Sequence, residues 1–460
     1  MSSSGNWKRR DIAASAIKHV FYPLWALKNG SPRLRYLDEL EKSQYLPMAE
    51  ILDQQWLLFK KIVAHAYETC PYYQKTFREA DFTPADLRSR DDIKHIPCIT
   101  KQEIQEFRAE MISSDFSKAN LINDMTGGST GSPMEFRYSE DRLDSRVAAT
   151  LRHNRWAGWD MGDRAAILWG APRDIPGGGS AKSRFRDWVL ERRLILDASA
   201  LDDRAMAKFA QELVLYQPTV LLAYANTLGL FAQYVKDNRI TDITPRAVIC
   251  SAEFLTEENR KLIEDTFRCQ VFNRYGCREF AVIASECSVH SGMHINAENL
   301  LVETLANGES RHDVDGEIVI TDLRNMAMPM IRYRIGDVGH LVKEACQCGR
   351  GLPLMKLTGG RTTDFLLKTD GKKVSGIVVA TYVITNIAGI RQIQFIQNKI
   401  GAVTVNLVKG SEWSQNTQDI LASRIREYLG TDMQVEVMFR DSIPLEKSGK
   451  YRFSVSTLTV

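Results

Sequence analysis

The chain has 460 residues, of which 44% are hydrophobic and 25% are charged. This length and composition predict an ordinary globular protein with a large core and two or more domains. The formal net charge of +3 is small and dispersed, which argues against nucleic acid as a partner. Small charged cofactors fit this balance better.

An apolar run at residues 20–27 is interrupted by Pro23. The run is too short to span a bilayer, and no small-residue cleavage site follows it. Packing against the protein body is the expected arrangement; the alternative is a peripheral membrane contact through Phe21, Tyr22, Leu24 and Trp25. Eight cysteines without a secretory signal indicate a reducing compartment, so a cytoplasmic protein is expected.

Residues 126–133 read Thr-Gly-Gly-Ser-Thr-Gly-Ser-Pro and precede a helical pattern. Glycines let the backbone approach an anion and the hydroxyls add donors, so the stretch is typical of a phosphate-binding loop. A Walker loop would end in Gly-Lys-Ser/Thr, whereas here Ser-Pro-Met follows, which excludes a P-loop ATPase. A loop of this composition alone is more often a linker, so its interpretation depends on the motifs that follow.

From residue 164 onward, short apolar runs alternate with amphipathic stretches. Buried strands are predicted at residues 165–169, 194–196, 220–224, 247–250 and 271–275. Helices are predicted at residues 201–216 and 256–267, the second with Thr256 as its N-cap. This alternation indicates a layered α/β body.

The pattern changes after Gly359-Gly360. Asp370-Gly371 between two short strands predicts a hairpin. Beyond it, helices are predicted at residues 377–386 and 417–429, and strands at residues 392–397, 403–408 and 435–439. We therefore predict a large layered α/β domain over residues 1–360 and a small, mobile α+β domain over residues 361–460.

Four further motifs place polar side chains where a nucleotide could bind. Residues 275–279 (Tyr-Gly-Cys-Arg-Glu) close a predicted strand, where α/β proteins bind ligands. They are followed by residues 333–337 (Tyr-Arg-Ile-Gly-Asp), 360–361 (Gly-Arg) and 444–450 (Pro-Leu-Glu-Lys-Ser-Gly-Lys). Each motif alone could be a turn, a strand end, a linker or a tail, but their order and spacing together exceed what chance would produce.

With these motifs the chain resembles, over nearly its whole length, the adenylate-forming superfamily of acyl-CoA synthetases, nonribosomal-peptide adenylation domains and luciferases. Residues 70–73 (Cys-Pro-Tyr-Tyr), Ile96-Pro97 followed by Thr100-Lys101, and residues 292–295 (Gly-Met-His-Ile) resemble the phenylacetate-coenzyme A ligase-like branch. The Tyr-Gly-x-Arg-Glu motif is most similar to CapK-like members, which are associated with capsular polysaccharide biosynthesis. The resemblance implies activation of a carboxylic acid by Mg-ATP as acyl-AMP with release of pyrophosphate, followed by acyl transfer.

The resemblance also implies roles for individual residues. Glu279 would hold Mg²⁺ and act in catalysis, and Asp337 would accept both ribose hydroxyls. Lys450 would stabilise the charge that develops during adenylation; Lys447 competes for this role, but Ser-Gly before Lys450 matches the motif. The hinge between the domains would lie within residues 361–365. The remaining candidate nucleotide-binding residues are Thr126, Gly127, Gly128, Ser129, Thr130, Gly131, Ala252, Glu253, Tyr275, Gly276, Arg278 and Arg361.

Two positions depart from the superfamily pattern. Met134 stands where many members carry Lys, and Arg278 stands where many carry Thr or Ser before the magnesium Glu. Arg278 would replace that hydroxyl as a phosphate donor or point towards an unusual substrate, and both interpretations remain open.

A second group of residues suits a metal. Cys287 and His290 are separated by two residues, and Cys346 and Cys348 form a Cys-x-Cys turn later in the chain. Together they supply the four ligands of a closed tetrahedral zinc site, which would be structural because no position is left for water. His294 is the rival fourth ligand, although His290 has the better spacing. Free thiols and imidazoles without a metal are the alternative.

The acid and the acceptor are not fixed by the sequence. The acyl pocket is expected between residues 169–172, residues 224–226 and Ala252-Glu253, which allow an aryl acid without requiring one. A thiol acceptor, coenzyme A or a carrier protein, is the superfamily default; transfer to an amine or hydroxyl of a cell-surface glycan is the alternative. A catalytically weak nucleotide-binding partner is a different class, against which intact Glu279, Asp337 and Lys450 argue.

Overall fold

The computed structural model describes residues 11–126, 134–169, 191–197, 203–361, 365–371, 373–375, 389–410, 412–444 and 452–456, together with residues 379, 380, 383, 387 and 458. The helices in this part of the chain are α1 (Ile12–Ala16), α2 (Tyr22–Lys28), α3 (Arg33–Ser43), α4 (Met48–Thr69), α5 (Pro71–Glu79), α6 (Lys101–Phe107), α7 (Glu140–Trp156), α8 (Asp203–Tyr216), α9 (Ala225–Asp237), α10 (Glu257–Phe267) and α11 (Gln415–Leu429). A π turn (Ile17–Phe21) joins α1 to α2.

The strands, in chain order, are β1 (Ile122–Met125), β2 (Glu135–Tyr138), β3 (Ala165–Trp169), β4 (Arg193–Asp197), β5 (Val220–Tyr224), β6 (Ala247–Ser251), β7 (Gln270–Cys277), β8 (Ala281–Glu286), β9 (Met293–Ile295), β10 (Leu300–Ala306), β11 (Glu309–Ser310), β12 (Gly316–Asp322), β13 (Tyr333–Val342), β14 (Leu354–Arg361), β15 (Phe365–Leu367), β16 (Lys373–Ser375), β17 (Ile390–Lys399), β18 (Ala402–Lys409), β19 (Gln434–Phe439) and β20 (Ser454–Ser456).

A twelve-stranded mixed sheet forms the centre of the large α/β region, in the order β11-β10-β12-β13-β14-β9-β8-β7-β6-β5-β3-β4. Along the sheet, β4, β3, β5, β6 and β7 pair in parallel with one another. From β7 onward through β8, β9 and β14, neighbouring strands pair antiparallel. The strands and helices predicted between residues 165 and 275 are confirmed. The layered α/β architecture is therefore confirmed as well.

The parallel strands form where apolar runs are covered on both faces. All five residues of β6 are buried, which is typical of a strand between two helical layers. On α8, Met206, Phe209 and Leu213 are buried at helical spacing. Helix α10 begins where the Thr256 hydroxyl accepts a hydrogen bond from the backbone N–H of Asn259 at 3.2 Å, so the predicted N-cap is confirmed.

The C-terminal region has a separate four-stranded sheet in the order β19-β18-β17-β20. Its core contains Phe395, Val405 and Leu421 with other apolar residues of α11 and the sheet. The hairpin predicted at Asp370-Gly371 is confirmed, because β15 and β16 pair antiparallel around it. Most of the helix predicted at residues 377–386 lies outside the described residues. The boundary at residues 360 and 361 stays a prediction.

Among the described residues, no helix combines the length and apolar character needed to cross a bilayer. This finding agrees with the expectation that the apolar run at residues 20–27, which Pro23 interrupts, is too short to span a bilayer.

A buried ion pair joins helix α7 to the connection between β9 and β10. Arg152 on α7 donates to both carboxylate oxygens of Glu298, at 2.5 and 3.0 Å, and the Ser43 hydroxyl donates to the same carboxylate at 2.7 Å. Burial alone would raise the pKa of Glu298, but Arg152 outweighs it and lowers this pKa below its ordinary value. The pair therefore stabilises the fold at neutral pH.

We predict that Glu298→Gln lowers the free energy of unfolding by about 3–5 kcal/mol, because it leaves a buried guanidinium without a counter-ion. Urea denaturation at neutral pH measures the effect. The stabilisation is present above the carboxyl pKa of the unfolded chain and is lost as pH falls through the lower folded pKa, so the difference from wild type should shrink in acid. Glu309→Gln breaks an exposed pair with Arg311 and should leave the denaturation midpoint unchanged. Equal effects of the two substitutions would contradict the prediction.

Candidate active site

Two side chains from distant strands meet at the end of β7. The Tyr275 hydroxyl donates a hydrogen bond to Asp337 Oδ2 at 2.7 Å. Burial, together with the negative charge of Asp337, raises the pKa of the Tyr275 phenol well above its ordinary value, so the phenol remains a donor. The carboxylate of Asp337 is therefore held in one position.

This hydrogen bond requires a curled sheet. Strands β8, β9 and β14 lie between β7 and β13 in the strand order. At about 4.8 Å per strand, a flat sheet would separate β7 from β13 by about 19 Å. Register shifts between Tyr275 and Gly276 and between Asp337 and Val338 bend both strands near the contact. A Cβ added at Gly276 would lie 2.5 Å from the Ala281 carbonyl oxygen, so glycine is needed at this bend.

Arg278 and Glu279 follow β7 in the turn to β8. Burial, and after it the negative charge of the Glu279 carboxylate, raises the pKa of the Cys277 thiol well above its ordinary value. Arg278 Nη1 lies 3.7 Å from Asp124 Oδ1. The Arg146 guanidinium donates to the Arg278 carbonyl oxygen. The turn thus combines a carboxylate suited to a hard cation with guanidinium groups suited to an anion.

The base of the predicted phosphate loop adjoins this turn. The backbone N–H of Thr126 donates to the Met134 carbonyl, and the N–H of Met134 donates to Thr126 Oγ1, both at 2.9 Å. Strands β1 and β2 pair antiparallel beside this closure, and Asp124 of β1 contacts Arg278. The remaining candidate loop residues lie outside the described part of the chain; they are Gly127, Gly128, Ser129, Thr130 and Gly131.

Ala252 and Glu253 lie after β6, at the same end of the parallel strands. Ala252 has a φ of 63°, in the left-handed region that non-glycine residues rarely occupy. The Glu253 carboxylate accepts a hydrogen bond from the backbone N–H of Asn226 at 2.8 Å, and Asn259 Nδ2 donates to Asn226 Oδ1 at 3.0 Å. This network connects the ends of β5 and β6 to α10, where open α/β sheets bind ligands.

The region predicted to bind the acyl group is partly described. The rings of Trp169 and Tyr224, at the ends of β3 and β5, have centroids 4.2 Å apart. Residues 170–172 lie outside the described residues. The aromatic pair lies in the predicted acyl pocket, which allows an aryl acid without requiring one, and the identity of the acid stays open.

Arg361 and the candidate lysines are less fully described. The backbone of Arg361 pairs with Asp337 in the β13–β14 ladder, so this chain position lies beside the Tyr275–Asp337 contact. Lys447 and Lys450 lie outside the described residues. Their roles stay predictions from the sequence.

A second cluster forms between two neighbouring hairpins. Ligand atoms of Cys287, His294, Cys346 and Cys348 all lie within 4.8 Å of one another. The Cys287 and Cys346 sulfurs are 3.7 Å apart, too far for a disulfide, and Cys348 Sγ is 3.3 Å from His294 Nε2. A tetrahedral zinc with Zn–S bonds of about 2.3 Å would have sulfur–sulfur edges of about 3.8 Å. The donor set and its spacing therefore fit zinc.

The fourth member of this cluster is His294, so the assignment of His290 from its spacing is wrong. His290 Nδ1 instead lies 3.0 Å from Glu286 Oε2, and the same carboxylate pairs with Arg260. The physical reason is the strand pairing: β9 carries His294 and pairs with β14, next to the turn that holds Cys346 and Cys348.

The protonation of His294 suits a metal ligand. Burial lowers its pKa to about 4, because the imidazolium loses its hydration. Its Nδ1 lies 3.3 Å from the Leu352 carbonyl, which assigns the proton to Nδ1 and leaves Nε2 to face Cys348. Burial also raises the pKa of the Cys287 thiol to about 12, and a bound cation would oppose that shift.

Two residues near the site were not predicted from the sequence. Asp124 and Arg146 connect the loop base to the turn after β7. Asp124 stands two residues before the loop, and this proximity is a signal that could have identified it. Arg146 lies on α7, and nothing local in the sequence distinguishes it. Asn226, which was predicted as part of the acyl pocket, connects Glu253 to α10.

Comparisons with known proteins agree with this geometry. Residues 366–457 match the family model of the CapK C-terminal domain. Protein CapK of Staphylococcus aureus is 26% identical over 423 residues, which cover 89% of this chain and 90% of that protein. The phenylacetate-coenzyme A ligase of Thermus thermophilus is 25% identical over 355 residues, covering 73% of this chain and 75% of the ligase.

A solved structure of 2-hydroxyisobutyryl-CoA ligase, in the postadenylation state with 2-HIB-AMP, has a similar fold. Its TM-score is 0.75 at 17% identity, with 90% of this chain and 91% of that chain covered. The resemblance inferred from the motifs is thereby confirmed: the chain is homologous to CapK and to the phenylacetate-coenzyme A ligases, and it has the fold of adenylate-forming enzymes.

Proposed function

We propose that the protein is an ATP-dependent, AMP-forming ligase that activates a carboxylic acid and transfers the acyl group to coenzyme A. The observation that carries this proposal is the Tyr275–Asp337 hydrogen bond, which holds a carboxylate at the ligand-binding end of the sheet. Arg278, three residues after Tyr275, lies 3.7 Å from Asp124 at the base of the glycine-rich loop. The homology to phenylacetate-coenzyme A ligases supports both half-reactions.

In the first step a carboxylate oxygen of the substrate attacks the α-phosphorus of ATP, and pyrophosphate leaves. Asp337 would accept the ribose hydroxyls, and Glu279 would hold Mg²⁺ against the phosphate oxygens. The glycine-rich loop would donate backbone N–H groups to the phosphates, with Arg278 and Arg146 beside its base.

In the second step the thiolate of coenzyme A attacks the acyl carbon, and AMP leaves. Lys450 would stabilise the charge that develops during adenylation, and Arg361 would contact the nucleotide. Both would belong to a small domain that begins near residue 361, and the match of residues 366–457 to the CapK C-terminal domain supports such a domain. The domain would rotate between the steps. Carrier-protein thiols and glycan amines or hydroxyls are alternative acceptors, and the similarity to CapK over 89% of the chain is a reason to test them.

The proposal is tested by pyrophosphate release with a panel of carboxylic acids that includes phenylacetate, followed by acyl transfer to coenzyme A, amines and sugar alcohols. Acid-dependent pyrophosphate release and thioester formation are expected. Absence of acid-dependent release across the panel, from protein that binds Mg-ATP, would favour a catalytically weak nucleotide-binding protein.

We also propose that Cys287, His294, Cys346 and Cys348 hold a structural zinc ion. Cys287 follows β8 and His294 lies on β9, whereas Cys346 and Cys348 lie in the turn between β13 and β14. Zinc would therefore stabilise the curl of the sheet on which Asp337 depends, and it would take no part in the reaction.

Asp337→Asn is predicted to weaken Mg-ATP binding about 10-fold to 100-fold, because a charged acceptor is lost at about 1.5–3 kcal/mol per strong hydrogen bond. Calorimetry on wild type and variant measures the change. Asp315→Asn, at an exposed carboxylate paired with His340, is the matched control and should bind normally. Unchanged affinity in Asp337→Asn would remove this residue from the ribose role.

Lys450→Ala is predicted to slow acyl-AMP formation by roughly 10² to 10³, the usual cost of losing one preorganised donor to the transition state. Thermal stability should be unaffected, and transfer from synthetic acyl-adenylate to coenzyme A should remain near the wild-type rate. Lys447→Ala is the matched control. A larger adenylation defect in that control would move the role to Lys447, and equal losses in both half-reactions would contradict domain alternation.

For the metal, we predict about one zinc ion per chain in reducing buffer, measured by elemental analysis. His294→Gln should lose the zinc and lower the melting temperature, because metal binding contributes to folding free energy. His290→Gln should keep the zinc, and Cys98→Ser, at a cysteine outside the cluster, is the second control. No stoichiometric metal in wild type, or zinc loss only in His290→Gln, would refute the assignment.

A further inference from the structure

The N-terminal helical segment, residues 12–28, exposes a concentrated stripe of large apolar side chains. The exposed fractions are 81% for Ile12, 49% for Val20, 51% for Phe21, 58% for Leu24 and 80% for Leu27. These are five of the fourteen large hydrophobic residues that are exposed in the described part of the chain. Single exposed apolar residues are ordinary, whereas a grouped set marks an interaction surface.

The stripe occupies one side of the segment because of its helical geometry. Val20, Leu24 and Leu27 are spaced by four and three residues, which aligns them on one face. Phe21 is exposed next to Val20, so the stripe covers residues 20–27, and Ile12 is exposed separately at the start of α1.

The opposite side of the segment is attached to the protein body. Ile17 and Ala26 are buried, and Arg33 donates to the Tyr22 hydroxyl at 3.0 Å. The Arg33 guanidinium also lies 4.9 Å from the centre of the Trp25 ring. At Lys18 an ion pair with Asp160 adds a further contact. Tyr22 and Trp25 therefore serve internal packing, and the apolar stripe stays outside when the segment is docked.

Charge indicates what the stripe contacts. The sequence from residue 8 to residue 28 contains five cationic residues and a single acidic one, Asp11. Asp11 is paired with Arg192 at 2.9 Å, so its charge is compensated. Lys28 is exposed next to Leu27. The five cationic residues are Lys8, Arg9, Arg10, Lys18 and Lys28. The charge of Lys18 is likewise compensated, by Asp160, and residues 8–10 lie outside the described part of the chain.

We propose that residues 12–28 bind the surface of an anionic membrane, with Val20, Phe21, Leu24 and Leu27 inserted at the level of the headgroups and Lys28 facing lipid phosphates. An apolar stripe flanked by cations is the pattern of helices that lie in the interface plane. Anionic lipids attract juxtamembrane Lys and Arg residues, and the attraction is screened by salt. The protein would be peripheral, held by one face of its N-terminal segment.

The test is co-sedimentation of the full chain with two kinds of vesicle, phosphatidylcholine alone and phosphatidylcholine in which about a third of the lipid is phosphatidylglycerol. Wild type should bind the anionic vesicles at least about tenfold better, and high salt should reduce this binding. The double variant Leu24→Gln/Leu27→Gln should weaken it at least about tenfold, since two apolar side chains lose their insertion. Circular dichroism checks that the variant remains folded.

Leu57→Gln/Leu215→Gln is the matched control, because these leucines are 61% and 83% exposed elsewhere on the surface. It should bind vesicles as wild type does. Equal binding by wild type and Leu24→Gln/Leu27→Gln would overturn the proposal, as would no preference for anionic lipid. Analytical ultracentrifugation tests the alternative that the stripe contacts a second copy of the chain. If wild type is a dimer and Leu24→Gln/Leu27→Gln is a monomer, the stripe is a dimer interface and the membrane proposal is refuted.

Discussion

The Tyr275–Asp337 hydrogen bond is the constraint on which the candidate site depends. It joins β7, the last parallel strand, to β13, from which three strands separate it in the sheet. The bond can form only because the antiparallel part of the sheet curls, with bulges at both ends of the contact. The curl brings the ribose-binding candidate to the end of the parallel strands, where the other candidate ligands already lie.

The Cys/His cluster lies on the same curled strands. Cys287 and His294 lie within the β8–β9 hairpin, and Cys346 and Cys348 lie in the turn before β14. A metal at this position would tie the hairpins together without contacting the nucleotide site. The cluster and the Tyr275–Asp337 contact therefore depend on the same curled strands, although they involve different side chains.

The two departures from the superfamily motifs have different structural consequences. Met134 is fully buried in the main core, so this position offers packing and not a charge to the loop. Arg278 lies near Asp124 of β1 and so connects the turn after β7 to the base of the phosphate loop. Positive charge near the loop base is therefore supplied by Arg278, in the turn after β7, and by Arg146 on α7.

Apolar periodicity and short motifs are local properties, so they predicted the α/β alternation and the C-terminal hairpin and sheet, which the structure confirms. The same motifs named Tyr275, Glu279 and Asp337 as site candidates, and their roles stay predictions. The sequence by itself could not decide between His290 and His294, since spacing along a turn does not specify which side chain a strand ladder carries towards Cys348. It also missed Asp124 and Arg146, whose contacts with Arg278 join elements far apart in the chain. The sequence also could not show which apolar residues of the N-terminal segment pack against the protein. In the structure Tyr22 and Trp25 contact Arg33, whereas Leu24 and Leu27 are exposed. Contacts between residues far apart in the chain depend on the curl and packing of the whole sheet, and only the tertiary structure contains that information.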